Sequence, residues 1–225
     1  MPNPRRPRTV VFDVVETLMS LENLRPRFVD VGLEPALLER WFDRTLREGM
    51  ALTLAGDYQP FPAVAAATLR TLSGGRLDED AVSHVLDGFG ELDAHADAEP
   101  AMRILDEAGI AIACLSNGAA ETTNSFLRRA GLTGFVGQVL SVADVNAWKP
   151  PLRVYEHALS AIAQRPDEVA LVAVHAFDCH GAKNAGLTTG WAARMESHYA
   201  EIFTPPDVSG QDLTEVARAL TELPE

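Results

Sequence analysis

The sequence predicts an α/β protein built on a doubly wound parallel sheet, with a helical insertion after its first strand. Three observations carry this. Apolar runs of strand length each stop abruptly at polar residues, helical patterns lie between those runs, and one long stretch near the start is helical throughout.

Thr9-Val10-Val11-Phe12 is apolar and β-rich and stops at Asp13, the pattern of a buried strand opening into a loop. From about Leu21 to Ala94 the alternation is lost. Helical patterns run over Leu37–Leu54, Pro62–Leu72 and Asp78–Phe89 without a convincing strand, and Ser73-Gly74-Gly75 separates two of them. Asp93 to Pro100 is expected to be the hinge back. The alternation then resumes: helical Pro100–Ala108, apolar Ile110–Leu115 ending at Ser116-Asn117-Gly118, helical Ala120–Ala130, and apolar Val136–Val142 leading to Ala143-Asp144. Helical Val154–Ala163 follows, then apolar Val169–Val174 ending at His175 to Asp178, and a weaker strand pattern at Leu187–Ala193. Residues 1–20 and 95–225 therefore read as an α/β core domain and 21–94 as a helical cap domain, and 225 residues suffice for both.

Composition narrows the partners. With 19 basic and 32 acidic residues the net charge is −13, which disfavours nucleic acid and anionic membranes, since both select basic surfaces. The longest apolar runs are too short to span a bilayer. The opening Met-Pro-Asn-Pro-Arg-Arg-Pro-Arg has the charge of a signal peptide's first segment, but the apolar run after it breaks at Asp13. It reads as a disordered leader on a cytoplasmic protein. Cys114 and Cys179 show no metal-ligand or disulfide spacing and are expected to be reduced core residues.

In open parallel sheets ligands bind beyond the carboxyl ends of the strands. Four polar clusters fall there: Asp13 to Thr17, Ser116 to Gly118, Trp148-Lys149-Pro150, and His175 to Asp178. A carboxylate at Asp13 can attack carbon or phosphorus to give an ester that water then opens, or it can simply cap a loop. Lys149, ahead of the rigid Pro150-Pro151, can keep a neighbouring carboxylate ionised, or be a surface lysine before a helix. Ser116, Asn117 and Thr17 can orient groups in a site or cap the following helix. Asp178 can position a water or act as an N-cap. Arg40, Arg44 and Arg47 follow helical spacing, the pattern of a charged solvent face.

Together, Phe-Asp-Val-Val-Glu-Thr-Leu, Leu-Ser-Asn-Gly, Trp-Lys-Pro-Pro-Leu-Arg-Val-Tyr and His-Ala-Phe-Asp-Cys-His-Gly-Ala, in that order, resemble the haloacid dehalogenase superfamily. The insertion after the first motif resembles that of its L-2-haloacid dehalogenase branch, and the resemblance extends from about Thr9 to Arg194. It implies a hydrolase of small 2-haloacids or similar carboxylates, with Asp13 as nucleophile, Lys149 as its cation and Asp178 positioning the second-step water. Ser116 and Thr17 would orient the nucleophile or the substrate carboxylate. Asn117 would receive the departing halide, and Tyr155 would hydrogen-bond within the site. Phe42, Phe61 and Phe177 would wall an apolar pocket, and His175 stands where well-known dehalogenases carry Asn.

Val15 separates two chemistries. Phosphatases that share these motifs carry a second Asp two places after the nucleophile and hold magnesium with strand-end carboxylates. Val15 does neither, so a reaction at carbon with no metal and no cofactor is expected. The halide-binding arginine of the branch is the main departure, because a gapless reading puts Phe42 at its position. Arg44, two residues on, is the candidate replacement. Four alternatives stay open on sequence alone: the haloacid hydrolase, a metal-free hydrolase at another electrophilic carbon such as a strained-ring amino acid, a phosphatase, and a binding protein on the same scaffold. A homodimer is compatible with the resemblance, and nothing in the sequence fixes the oligomeric state.

Overall fold

The computed structural model describes residues 4–225. Its centre is a six-stranded, all-parallel sheet of β1 (Thr9–Phe12), β2 (Ala111–Ser116), β3 (Val136–Ser141), β4 (Val169–Ala173), β5 (Thr188–Ala192) and β6 (Val208–Gly210), in the order β3-β2-β1-β4-β5-β6. The middle strands are apolar on both faces because both faces are covered. Val10 and Phe12 point into one core layer and Val11 into the other, and β2 and β4 alternate in the same way. Helices α5 (Ala98–Glu107), α6 (Ala120–Arg129) and α9 (Leu213–Thr221) fill the first layer, while α7 (Leu152–Ile162) and α8 (Ala176–Asn184) fill the second.

Between β1 and β2 run α1 (Leu24–Asp30), α2 (Leu37–Ala55), α3 (Phe61–Leu72) and α4 (Glu79–Asp87), then a 3₁₀ turn at Gly88–Glu91. Three of these helices match the periodic patterns in the sequence. The neck is narrow: Ser20 N donates to Asp93 O at 2.9 Å and His95 N to Leu18 O at 2.9 Å, so the outgoing and returning chains pair there. The return segment is shorter than the expected hinge, because α5 already begins at Ala98.

One contact locks the insertion onto the sheet layer. Trp148, fully buried, donates from Nε1 to Gln59 O and from its backbone N to Thr53 Oγ1, each at 2.9 Å, and its ring stacks on Phe61. Gly49 of α2 lies against the indole, where a Cβ would come within 2.2 Å of a ring carbon. Gly49→Ala is therefore expected to destabilise the fold by about 1–3 kcal/mol, as overpacking does, read from the midpoint of chemical denaturation.

Two expectations need correction. Met1 to Asn3 of the expected leader lie outside the described residues, but Arg6 and Arg8 are not disordered. Arg6 N donates to Pro224 O and Arg8 N to Glu168 O, each at 2.7 Å, and Arg6 Nη2 reaches Ala108 O. The helix expected near Cys179 begins at Ala176, which places Asp178 in its first turn and leaves His175 at the N-cap position. Helix α1, strand β6 and helix α9 were not foreseen: α1 and β6 are too short to show a period, and α9 follows the last recognisable motif. Cys114 and Cys179 are buried free thiols. Among the described residues no helix is long and apolar enough to cross a membrane.

Candidate active site

The strand order reverses its direction of growth between β1 and β4, and at such a switch point the loops leaving the two strands part to form a crevice. Asp13 leaves β1 there, Asn117 follows β2, Lys149 follows β3, and His175 and Asp178 follow β4. Sequence separations above one hundred residues collapse into hydrogen-bond distances because every strand ends on the same side of the sheet.

Lys149 is the hub, with its side chain 1% exposed. Its Nζ donates to Asp13 Oδ1 at 2.6 Å, to Asp178 Oδ2 at 2.6 Å and to Leu115 O at 3.1 Å, so all three ammonium protons are used. Its backbone N donates to Asn117 Oδ1 at 3.0 Å. Burial alone would lower the lysine's pKa, but the two carboxylates outweigh it and raise the value, so the ammonium stays charged.

The two carboxylates that share this cation are driven apart. Burial would raise Asp13, but Lys149 and then His175 outweigh it and hold its carboxyl well below the usual carboxylate range. Asp178 is raised, by burial first and with the charge of Asp13 adding to it, despite Lys149. Tyr155 OH donates to Asp178 Oδ1 at 2.6 Å. The result is one carboxylate kept ionised, as a nucleophile requires, beside a second of higher proton affinity, as a base requires.

Asp13 Oδ2 accepts from Thr17 Oγ1 at 2.7 Å and faces His175 Nδ1 at 3.5 Å. Thr17 is fixed in turn by Val174 N at 3.2 Å, which bridges the ends of β1 and β4. His175 Nε2 pairs with Glu16 Oε2 at 2.9 Å. Asp13, Lys149, Asn117 and His175 open onto a cavity of about 10 Å³, roughly what one water needs, walled by Val15, Phe42, Leu46, Phe61 and Phe177. Beyond Val15 and Phe61 lies a larger cleft of about 480 Å³ that reaches Ser116 and Arg129.

The expected site residues thus divide. Asp13, Thr17, Asn117, Lys149, Tyr155, His175 and Asp178 converge, and Phe42, Phe61 and Phe177 supply apolar wall. Ser116 does not orient Asp13. Its Oγ accepts from Gly118 N at 2.9 Å, a local turn that its own chain offers more readily. Neither Ser116 nor Asn117 caps α6, whose N-cap is Ala119.

Arg44 is not brought to the cavity either. Phe42 and Leu46 face it from α2 at i and i+4, and a residue halfway between them points to the opposite side of a helix turning about 100° per residue. Arg44 is half-buried on that other side, and Arg40 and Arg47 are exposed. Arg44→Ala, Arg40→Ala and Arg47→Ala are expected to behave alike in halide release, since none of the three side chains lines the cavity that holds Asp13. A loss of turnover confined to Arg44→Ala would overturn this placement.

Two contributors were missed by motif reading. Glu16 lies inside the first motif, yet only its φ of +67° and its bond to His175 show its importance. Arg194 holds the same loop from behind, donating to Glu16 O at 3.1 Å and Thr17 O at 2.8 Å while paired with Asp97.

Comparison with known proteins agrees with this architecture. A family model for haloacid dehalogenase-like hydrolases matches residues 7–186. The chain is 31% identical over 221 residues to (S)-2-haloacid dehalogenase 1 of Pseudomonas sp. (strain CBS-3), covering 96% of this chain and 97% of the relative. The L-2-haloacid dehalogenase of Xanthobacter autotrophicus with chloropropionic acid covalently bound superposes with a TM-score of 0.88 at 22% identity, over 96% of this chain and 99% of that one. A dehalogenase crystallised with an intermediate complex superposes at 0.87 with 27% identity, over 97% and 99%. With the strand order, the Asp13–Lys149–Asp178 centre and this match over most of its length, the chain belongs to the haloacid dehalogenase-like hydrolases.

Proposed function

We propose that the protein hydrolyses (S)-2-haloacids without a metal, through an ester on Asp13. The observation that carries the reading is the Lys149 ammonium, seated 2.6 Å from both strand-end carboxylates, whose charge it offsets from within the chain. Val15, at the position where a second Asp would serve phosphoryl transfer, is apolar wall of the cavity. The 31%-identical relative is itself an (S)-2-haloacid dehalogenase, which supports this substrate class.

In the first step an Asp13 oxygen displaces halide from the carbon bearing it, with inversion, and the carbon–halogen electron pair leaves with the halide. Asn117 is the candidate donor to that halide, because its Oδ1 is occupied by Lys149 N and its NH₂ group is the end left to donate. In the second step water attacks the ester carbonyl while Asp178 accepts its proton. Thr17 and Tyr155 position Asp13 and Asp178. Residues 21–94 act as a cap on a core of 1–20 and 95–225, and that cap opens to admit substrate, since the closed cavity of about 10 Å³ is smaller than any haloacid.

Halide release from chloro-, bromo- and fluoroacetate and from both enantiomers of 2-chloropropionate tests the reading. Release is expected from the S enantiomer and to survive exhaustive chelation. Activity lost to EDTA and restored by magnesium would contradict the metal-free reading. Absence of halide release from every compound would move the reading to a hydrolase acting at another electrophilic carbon.

A further inference from the structure

Glu16 combines three unusual features. Its φ of +67° is a conformation that residues other than glycine rarely adopt, its carboxylate is withdrawn into the site, and its partner is His175, which faces the nucleophile. Such strain persists only when the surroundings over-determine it, and here Arg194 grips the carbonyls of Glu16 and Thr17 while Glu16 N donates to Met19 O. The N-cap position on α8 fixes the backbone of His175 but makes no side-chain cap bond, so the imidazole is oriented by Glu16 and by its packing on Phe177.

We propose that Glu16 keeps His175 as an imidazolium whose Nδ1–H, together with Thr17 Oγ1–H, forms the oxyanion site for hydrolysis of the Asp13 ester. This rests on the ester reading above and assigns a group to its second step. Oδ1, the oxygen on Lys149, forms the bond to carbon, and Oδ2 becomes the ester carbonyl. Both donors already face Oδ2, Thr17 at 2.7 Å and His175 at 3.5 Å. When water adds to Cγ, one water proton passes to Asp178 and the carbonyl π pair moves onto Oδ2. Negative charge thus reappears on the oxygen that His175 and Thr17 attend, where donors placed in advance are most effective. Collapse of the adduct breaks Cγ–Oδ1, and the departing alkoxide takes the proton from Asp178 to give the hydroxyacid. The second water proton leaves to solvent as Asp13 ionises, and His175 keeps its proton throughout. Lys149 is already fully committed, so the imidazolium is the cavity cation with a donor only loosely engaged.

Charge supports the assignment. Burial pushes the His175 imidazolium down, but the hydrogen bonds and charges of Asp13 and Glu16 raise it to about 10. Lys149 and Asp178 stand behind Asp13, and Glu39, Asp43, Arg47 and Glu196 line the outer groove that His175 also borders. Once Asp13 is esterified its charge is gone and Glu16 alone in direct contact holds the proton, so ester hydrolysis should fall as pH rises through a value below 10.

The test is single-turnover rapid quench with a haloacid, following halide release and the ester adduct separately from pH 6 to 11. His175→Gln is expected to slow ester hydrolysis by about a hundredfold or more and to accumulate adduct. Glu16→Gln and Glu16→Gly should bring the high-pH fall of hydrolysis to lower pH, and the glycine variant relieves the backbone, so misfolding does not explain a shared shift. An unchanged pH profile in both Glu16 variants, or His175→Gln without adduct, overturns the proposal while halide release still stands. NMR of ¹⁵N-labelled imidazoles gives a second readout that needs no turnover. His175 should be protonated at pH 8 and titrate lower in Glu16→Gln. A neutral His175 at pH 7, or the same titration in both proteins, overturns the proposal whatever the substrate.

Discussion

Lys149→Met is expected to abolish turnover and to unsettle the fold together. The methionine fills much of the space, but it leaves Asp13 and Asp178 buried without the ammonium that both now accept at 2.6 Å. Breaking a buried ion pair from one side costs about 3–5 kcal/mol, because the stranded charge is neither solvated nor paired. The protein then relieves the repulsion by taking up a proton, and Asp178, already raised by burial, is the carboxylate that takes it. The linkage has a definite sign. Asp178 carries a raised folded pKa in the parent and should rise further in the variant, so the variant's stability deficit should shrink as pH falls and grow as pH rises. Denaturation midpoints at several pH values, with halide release beside them, check both halves. A variant as stable as the parent at neutral pH would mean that the two carboxylates are better solvated than their burial indicates.

Asp178→Asn should leave the first step largely intact and stall the second by about a hundredfold or more, the usual share of a general base. The amide keeps the shape, so its oxygen can still accept from Lys149 while its nitrogen turns to Tyr155. What is lost is the acceptor for the water's proton. A substrate-sized mass should therefore build up on the peptide containing Asp13, while the first-turnover burst of halide persists. The same assignment gives the parent's acid limb to Asp178, not Asp13: Asp178 is raised and loses its basic form first as pH falls, whereas Asp13 is held low and remains ionised. A variant that is equally slow but free of adduct would assign Asp178 to folding or to the first step.

What the sequence disclosed follows from how locally each feature is encoded. The buried parallel strands, the helical insertion and the strand-end polar clusters are local patterns, so Asp13, Lys149 and Asp178 are legible in the sequence. Phe42, Phe61 and Phe177 were identifiable as apolar wall for the same reason. Arg44 was misplaced because family position suggested a charge near Phe42, whereas helical phase decides which side of α2 a residue faces. Ser116 makes no bond to Asp13 because its oxygen accepts from Gly118 N in its own turn, an arrangement that a hydroxyl at a strand end does not announce. Glu16 was passed over because a positive φ and a pairing across 159 residues leave no periodic trace. The grip of Trp148 on Gly49 is likewise a tertiary fit that neither residue announces.

The ester on Asp13 is most directly tested by one turnover in oxygen-18 water with enzyme in excess over a haloacid. If Asp13 attacks carbon and water then opens the ester at Cγ, the hydroxyacid's new oxygen comes from the protein. The first product should then carry no label, and the peptide spanning Asp13 should gain one oxygen-18. Labelled hydroxyacid in that first turnover, with an unlabelled Asp13 peptide, would show that water attacks the carbon directly and would contradict the covalent route.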